Sequence, residues 1–272
     1  MEPTAQILLI QEILSMFSDE AKNIQEPFRP AIAEGLQCCI DRFRSTLDSF
    51  YLGGSIASGE AWPGASDADC FLFGNEEPGE ACLSWCRAKG DELEKQYPVI
   101  KGYHLSLFSV ARLRKEAAWR FILRYNAIRL YGVDIIAELE KEGTNTARPS
   151  KETAKSRIRW MRRNIEGAVR GELPQELFPK LPDDPFLATR KLARNFILVE
   201  GAHLLMADNA FCGFRQNDVL AKLKALYPQW VSIFVRTESI LEDPLTTGVM
   251  PDDFIAEIAP FCHWSIDRIE RS

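Results

Sequence analysis

Apolar positions along this chain follow two rhythms. Three short stretches between residues 50 and 110 have the rhythm of strands, and a spacing of three or four governs most of the rest. "SFYLGG" stops at two glycines after the aromatic run Phe50–Leu52, which predicts a buried strand. "DADCFLF", Asp67 to Phe73, alternates and then turns fully apolar, predicting a second strand. "YHLSLFSV", Tyr103 to Val110, alternates throughout and predicts a third. Helical spacing predicts helices over 4–18, 29–48 and 79–95, and helical structure from the end of the third strand onward. Asp184 followed by Pro185 marks a further helix start, with the acid as cap and the proline in the first turn.

Two stretches rich in proline and charge interrupt the helical half: "EKEGTNTARPS" (140–150) and "GELPQELFPKLPDDP" (171–185). The first is the expected domain boundary. The pattern therefore predicts an α+β architecture, with three or more strands and flanking helices in residues 1–145. An all-helical domain follows in residues 146–272.

Composition narrows the function classes. Of 272 residues, 46% are apolar, enough for a sizeable core. The net charge of −6 argues against extended nucleic-acid binding and suits a cationic small partner. No apolar run approaches the length of about 18 residues that a membrane span needs. The segment "MEPTAQILLIQEILSMFSDE" carries acids where a signal peptide is basic, so an ordinary helix is expected there. Seven cysteines without framework spacing point to reduced, buried thiols and a cytoplasmic protein. Cys82 and Cys86, four apart on a predicted helix, have no second ligand pair nearby in sequence.

The chemistry concentrates in "YLGGSIASGEAWPGASDADCFLFG", Tyr51 to Gly74. Residues two apart on a strand share a face, so Asp67 and Asp69 project together while Ala68 and Cys70 point the other way. Paired carboxylates repel unless a cation sits between them, and hard oxygens suit Mg²⁺ shared with phosphates. The turn Gly53-Gly54-Ser55 lets backbone N–H groups approach an anion.

This order of strand, Gly-Ser, helix, Ser-Asp-x-Asp and strand resembles nucleotidyltransferases of the polymerase-beta type. "IRLYGVDIIAEL", Ile128 to Leu139, is similar to a segment of small bacterial members. The stretch "FRQNDVLAKLKALYPQWVSIFVRTESI" is similar to the helical domain of aminoglycoside nucleotidyltransferases. The resemblance implies a mixed sheet, and Mg²⁺ held by Asp67 and Asp69. It also implies a nucleoside triphosphate, ATP by expectation, on Gly54, Ser55 and Ser66, and NMP transfer to a hydroxyl of a small molecule. An aminoglycoside-like acceptor, and with it antibiotic resistance, follows from the same likeness. A protein or RNA acceptor, or a non-catalytic nucleotide-binding or partner-binding module, is the alternative.

One departure bears on activity. The family places a third carboxylate on the next strand, and "GYHLSLFSVARL" contains none. His104 and Ser106 share the relevant face, and one of them stands in its place. Glu200 is a candidate base: its helical neighbours Ala193, Phe196, Ile197, Leu204 and Ala207 are apolar, and burial would raise its pKa. The competing role is a structural glutamate paired with His203 or with an arginine from another helix. Arg194, with Arg190 four residues earlier, is a candidate phosphate contact. Lys151, Lys155, Arg159 and Arg162 form a basic helix face that a solvated surface explains equally well.

Overall fold

The computed structural model describes residues 19–143, 148–172 and 181–272. The helix predicted over 4–18 lies outside these, as do parts of both interrupting stretches. The chain divides into two units, Met1–Ala147 and Arg148–Ser272.

In the first unit, four strands form one sheet in the order β3-β2-β1-β4: β1 Leu47–Gly53, β2 Ala68–Gly74, β3 Tyr103–Ser109 and β4 Ala127–Gly132. β1 runs antiparallel to both β2 and β4. β2 and β3 are parallel, which requires a crossover connection. The helix predicted over 79–95 occupies that connection.

The helices of this unit are α1 Arg29–Phe43, α2 Gly54–Ser58, α3 Glu80–Gln96, α4 Val110–Lys115, α5 Ala117–Asn126 and α6 Ile135–Lys141. Both faces of the sheet are covered, which explains why β1 and β2 read as nearly unbroken apolar runs. Phe50, Leu52, Cys70 and Leu72 pack under α1 and α3 with Leu36, Cys39 and Leu93. Tyr51, Phe71 and Phe73 face the other way, against Leu113, Leu123 and Leu139 of α4 to α6.

Two elements differ from the pattern. α1 ends at Phe43 rather than 48, because Thr46 closes it: its amide and hydroxyl both donate to the Phe43 carbonyl, at 2.8 and 3.2 Å. β4 lies where helix was expected. Its Ile128 and Leu130 alternate into the α1 side of the sheet, and its pairing partner β1 lies some eighty residues away in sequence. Local periodicity carries no record of such a partner.

The second unit is helical, with no strand among its described residues: α7 Lys151–Lys155, α8 Ile158–Val169, α9 Pro185–Ala193, α10 Glu200–Ala207, α11 Gln216–Leu226, α12 Val231–Glu242, α13 Pro244–Thr247 and α14 Pro251–Arg271. Asp184 caps α9 as predicted, accepting from the amides of Phe186 and Leu187 at 2.9 and 3.1 Å. A π-helical stretch, Arg194–Val199, joins α9 to α10 through helical junction residues. Every residue of α10 is buried, so it is the centre of this unit.

Among the described residues, no helix is long and apolar enough to cross a membrane. All seven cysteines are free. Cys39, Cys70, Cys86 and Cys262 are buried, Cys38 and Cys82 are half-buried, and Cys212 is exposed, so the expectation of uniformly buried thiols is only partly met.

Candidate active site

The site grows from the ends of three strands. β1 runs into Gly53, and Gly54 turns the chain with φ +71°, a conformation that favours glycine. α2 starts there. Gly53 pairs in register with Asp69 of β2 on one side and Ala127 of β4 on the other. A Cβ placed on Gly54 would lie 3.4 Å from Asp69 Oδ2, so the bare backbone of the turn lies against that carboxylate.

The entrance to β2 is stitched in place. The Ser55 hydroxyl donates to Ser66 Oγ at 3.1 Å, and Ser66 Oγ accepts the Trp62 amide at 2.8 Å. Both serines are 4% exposed. Lys101 N donates to Ser66 O, and Ala68 N donates to Gly102 O, each at 2.9 Å. These bonds tie the start of β3 to the start of β2. Asp67 precedes β2, and Asp69 lies two residues on.

The parallel register decides which residue of β3 takes the third position. His104 is opposite Asp69, and Ser106 is opposite Phe71, one step further from the acid pair. Ligating atoms of Asp67, Asp69 and His104 all lie within 4.8 Å of one another, and all three residues are half-buried. Among the described residues, this is the one group of three or more histidines, cysteines and acids placed to share a metal ion. Two hard oxygens and one imidazole nitrogen are a donor set that fits a divalent cation. Cys82 and Cys86 form no such group, and burial pushes the Cys86 thiol up to about 11, away from the thiolate a metal needs.

Further along the same face, β3 is closed by rings. Phe108 packs at 4.7 Å from Trp119 and 5.8 Å from Phe73. A cavity of about 630 Å³ opens near β4, lined by Tyr51, Tyr125, Arg129, Asp134 and Glu140 among others. Ala127, also in its lining, is two strands across from Asp69, with Gly53 between them. Strand spacing makes that separation about 10 Å.

Glu200 and Arg194 belong to the helical unit. Glu200 is 0% exposed, and neither carboxyl oxygen has a hydrogen-bond partner. Burial drives its pKa well above the usual carboxylate range, while the charge of Arg157 and the thiol of Cys262 pull the other way. The hydrogen bond that this thiol makes is to the Phe196 carbonyl at 3.8 Å, within the π-helical stretch, so Glu200 lies near it without a bond. His203 does not pair with Glu200. Its Nδ1 donates to Val199 O at 2.7 Å, and burial lowers its pKa to about 4, so it is a neutral core histidine. Arg194 is half-buried in the π-helical stretch. Arg190 is buried and donates through Nε to Leu241 O at 3.1 Å, a bond that ties α9 to the end of α12. On the basic face, Arg162 pairs with Glu270 at 2.8 Å. His104 and the π-helical stretch are what sequence reasoning leaves open or misses. The first needs strand register, and the second a departure from the 3.6-residue period.

Residues 33–159 match the family model described as a nucleotidyltransferase domain, a span that takes in all four strands, the glycine turn and the Asp-Asp-His group. The matched span covers most of the first unit, and the family it describes is the one the motif resembles. Among solved structures, the chain is similar to the spectinomycin adenyltransferase AAD(9) from Enterococcus faecialis, crystallised with ATP and spectinomycin. The match has a TM-score of 0.50 at 11% identity and covers 88% of this chain and 98% of that one. The likeness is one of fold. No curated protein sequence matches the chain.

Proposed function

We propose that this protein transfers a nucleoside monophosphate, AMP from ATP, to a hydroxyl of a small molecule. The observation that carries the reading is the convergence of Asp67 and Asp69 beside the glycine turn, with Gly54 packed against the Asp69 carboxylate. A divalent cation at the acid pair supplies the charge neutralisation that a polyphosphate needs. The chain's own part is positioning. Asp67, just before β2, and Asp69, on it, bring their oxygens together, and Gly54 leaves the backbone bare where phosphate oxygens would lie. Ser55 and Ser66 brace that turn through their shared hydrogen bond.

The cavity near β4 supports a small acceptor. It lies about 10 Å from Asp69 by strand spacing, and its lining sets the acids Asp134 and Glu140 against the bases Arg124 and Arg129, with Glu140 paired to Arg124 at 2.6 Å. The solved relative binds ATP and spectinomycin, which favours an acceptor of that class. Two roles for Glu200 remain from its helical spacing. The raised pKa supports a base, and complete burial beside the charge of Arg157 supports a structural glutamate; we adopt the second.

The test is pyrophosphate release by the purified full chain with ATP, a divalent cation and a panel of amino-sugar and aminocyclitol acceptors. Asp69→Asn is expected to abolish it. Metal-dependent ATP binding with no release for any acceptor would favour the second reading, a non-catalytic nucleotide-binding module. The absence of a carboxylate on β3 is the observation behind that reading. If neither binding nor release occurs, both readings fail.

A further inference from the structure

We propose that His104 is the third protein ligand of the cation site, and that this ligand set favours a first-row transition cation over Mg²⁺, with Mn²⁺ as its paramagnetic probe. The inference rests on the acid-pair reading above and names the metal chemistry of that same site.

Three observations converge on His104. Parallel pairing sets it directly opposite Asp69, where a third donor must stand to complete a set with Asp67. Its ring nitrogen falls within 4.8 Å of both carboxylates, and all three groups retain solvent access. Space for the ring is provided by Gly102. That residue has φ +106°, and a Cβ built on it would lie 3.0 Å from His104 Nε2 and 3.6 Å from Asp67 Cβ. The imidazole thus lies alongside Asp67, in a gap that a larger residue at 102 would fill.

The rest of the strand offers no substitute. Ser106 is one step beyond the acid pair, and Phe108 is committed to the aromatic cluster with Phe73 and Trp119. The chemistry then follows from donor type. Mg²⁺ takes oxygen ligands almost exclusively, whereas first-row transition cations also accept imidazole nitrogen, Mn²⁺ the most weakly of them and Fe²⁺ to Zn²⁺ more strongly. Replacing a carboxylate by imidazole also removes one negative charge from the ligand set. That weakens the purely electrostatic hold on Mg²⁺ more than the hold on a metal that gains from nitrogen donation.

The experiment uses the full chain with Mn²⁺ and no nucleotide. Binding is followed by the loss of the free-ion paramagnetic resonance signal, with Mg²⁺ as competitor. The chain has only three histidines, so ¹⁵N-histidine labelling followed by pulsed resonance reads imidazole coordination in the unmutated protein. Expected results are a histidine nitrogen coupling to bound Mn²⁺ and its loss in His104→Ala. His104→Asp is expected to lower the ratio of Mn²⁺ to Mg²⁺ affinity at least tenfold. Absence of the coupling, or an unchanged ratio in His104→Asp, overturns the His104 assignment. Asp69→Asn separates this from the broader reading. If that variant loses Mn²⁺ while the histidine coupling is absent from the wild type, the acid pair stands and His104 alone fails. If it binds Mn²⁺ like the wild type, or if the wild type binds none, both fail.

Discussion

Ser55 and Ser66, eleven residues apart, share a buried hydrogen bond of 3.1 Å that latches the glycine turn to the entrance of β2. Ser66 also holds the Trp62 amide. One hydroxyl therefore joins the two halves of the candidate site. Removing it in Ser66→Ala leaves a donor and an amide unsatisfied, at a cost of about 1–3 kcal/mol. Urea unfolding should report that loss. Nucleotide affinity, measured by calorimetry, should fall with it, since the turn is no longer held against Asp69.

Gly54→Ala tests the turn itself. The residue has φ +71°, so the added Cβ costs roughly 1 kcal/mol in backbone strain, and it lands 3.4 Å from Asp69 Oδ2. The expected outcome is a folded protein with a modest drop in melting temperature and a disproportionate loss of ATP affinity. Equal losses in both would show that the glycine serves the fold alone.

Much of this site is legible in the amino-acid order alone. The glycine stop after Phe50–Leu52 and the alternation around Asp67 and Asp69 are local signals, and β1, α2 and β2 sit where that pattern places them. Choosing between His104 and Ser106 is beyond the pattern. Both lie on one face, and only the parallel register of β2 with β3 separates them. β4 escapes for a related reason: a strand paired to a distant partner looks like any short apolar stretch. The π-helical stretch before Glu200 changes the helical period itself, and a reading that assumes 3.6 residues per turn passes over it.

Two buried neighbours on α10 should shape the pH dependence of stability in opposite directions. His203 titrates at 6.5 in its ordinary state and about 4 here. Its folded pKa is depressed, so the native state is stabilised above 6.5 and loses on the order of 3 kcal/mol as pH falls from 6.5 through 4. His203→Gln should flatten that acid limb. Glu200 has a raised folded pKa, so its contribution is full below the ordinary value of 4.5 and is lost as pH rises. Glu200→Gln should flatten the alkaline decline in melting temperature. With the structural role adopted here, it should leave pyrophosphate release within about threefold of wild type. A loss of a hundredfold or more, with the fold intact, would instead identify Glu200 as the base.

Asp184→Ala is the simplest check on the helical unit. It removes the acceptor for two amides at the start of α9 and is expected to cost about 1 kcal/mol, read as a lower denaturation midpoint. Metal affinity should not move.

Position 104 is held opposite Asp69 by main-chain pairing, which any side chain at that position shares. Histidine and aspartate codons differ by one base. On the ligand set proposed for His104, a single point mutation would therefore exchange the inorganic preference of this protein and leave the surrounding architecture undisturbed.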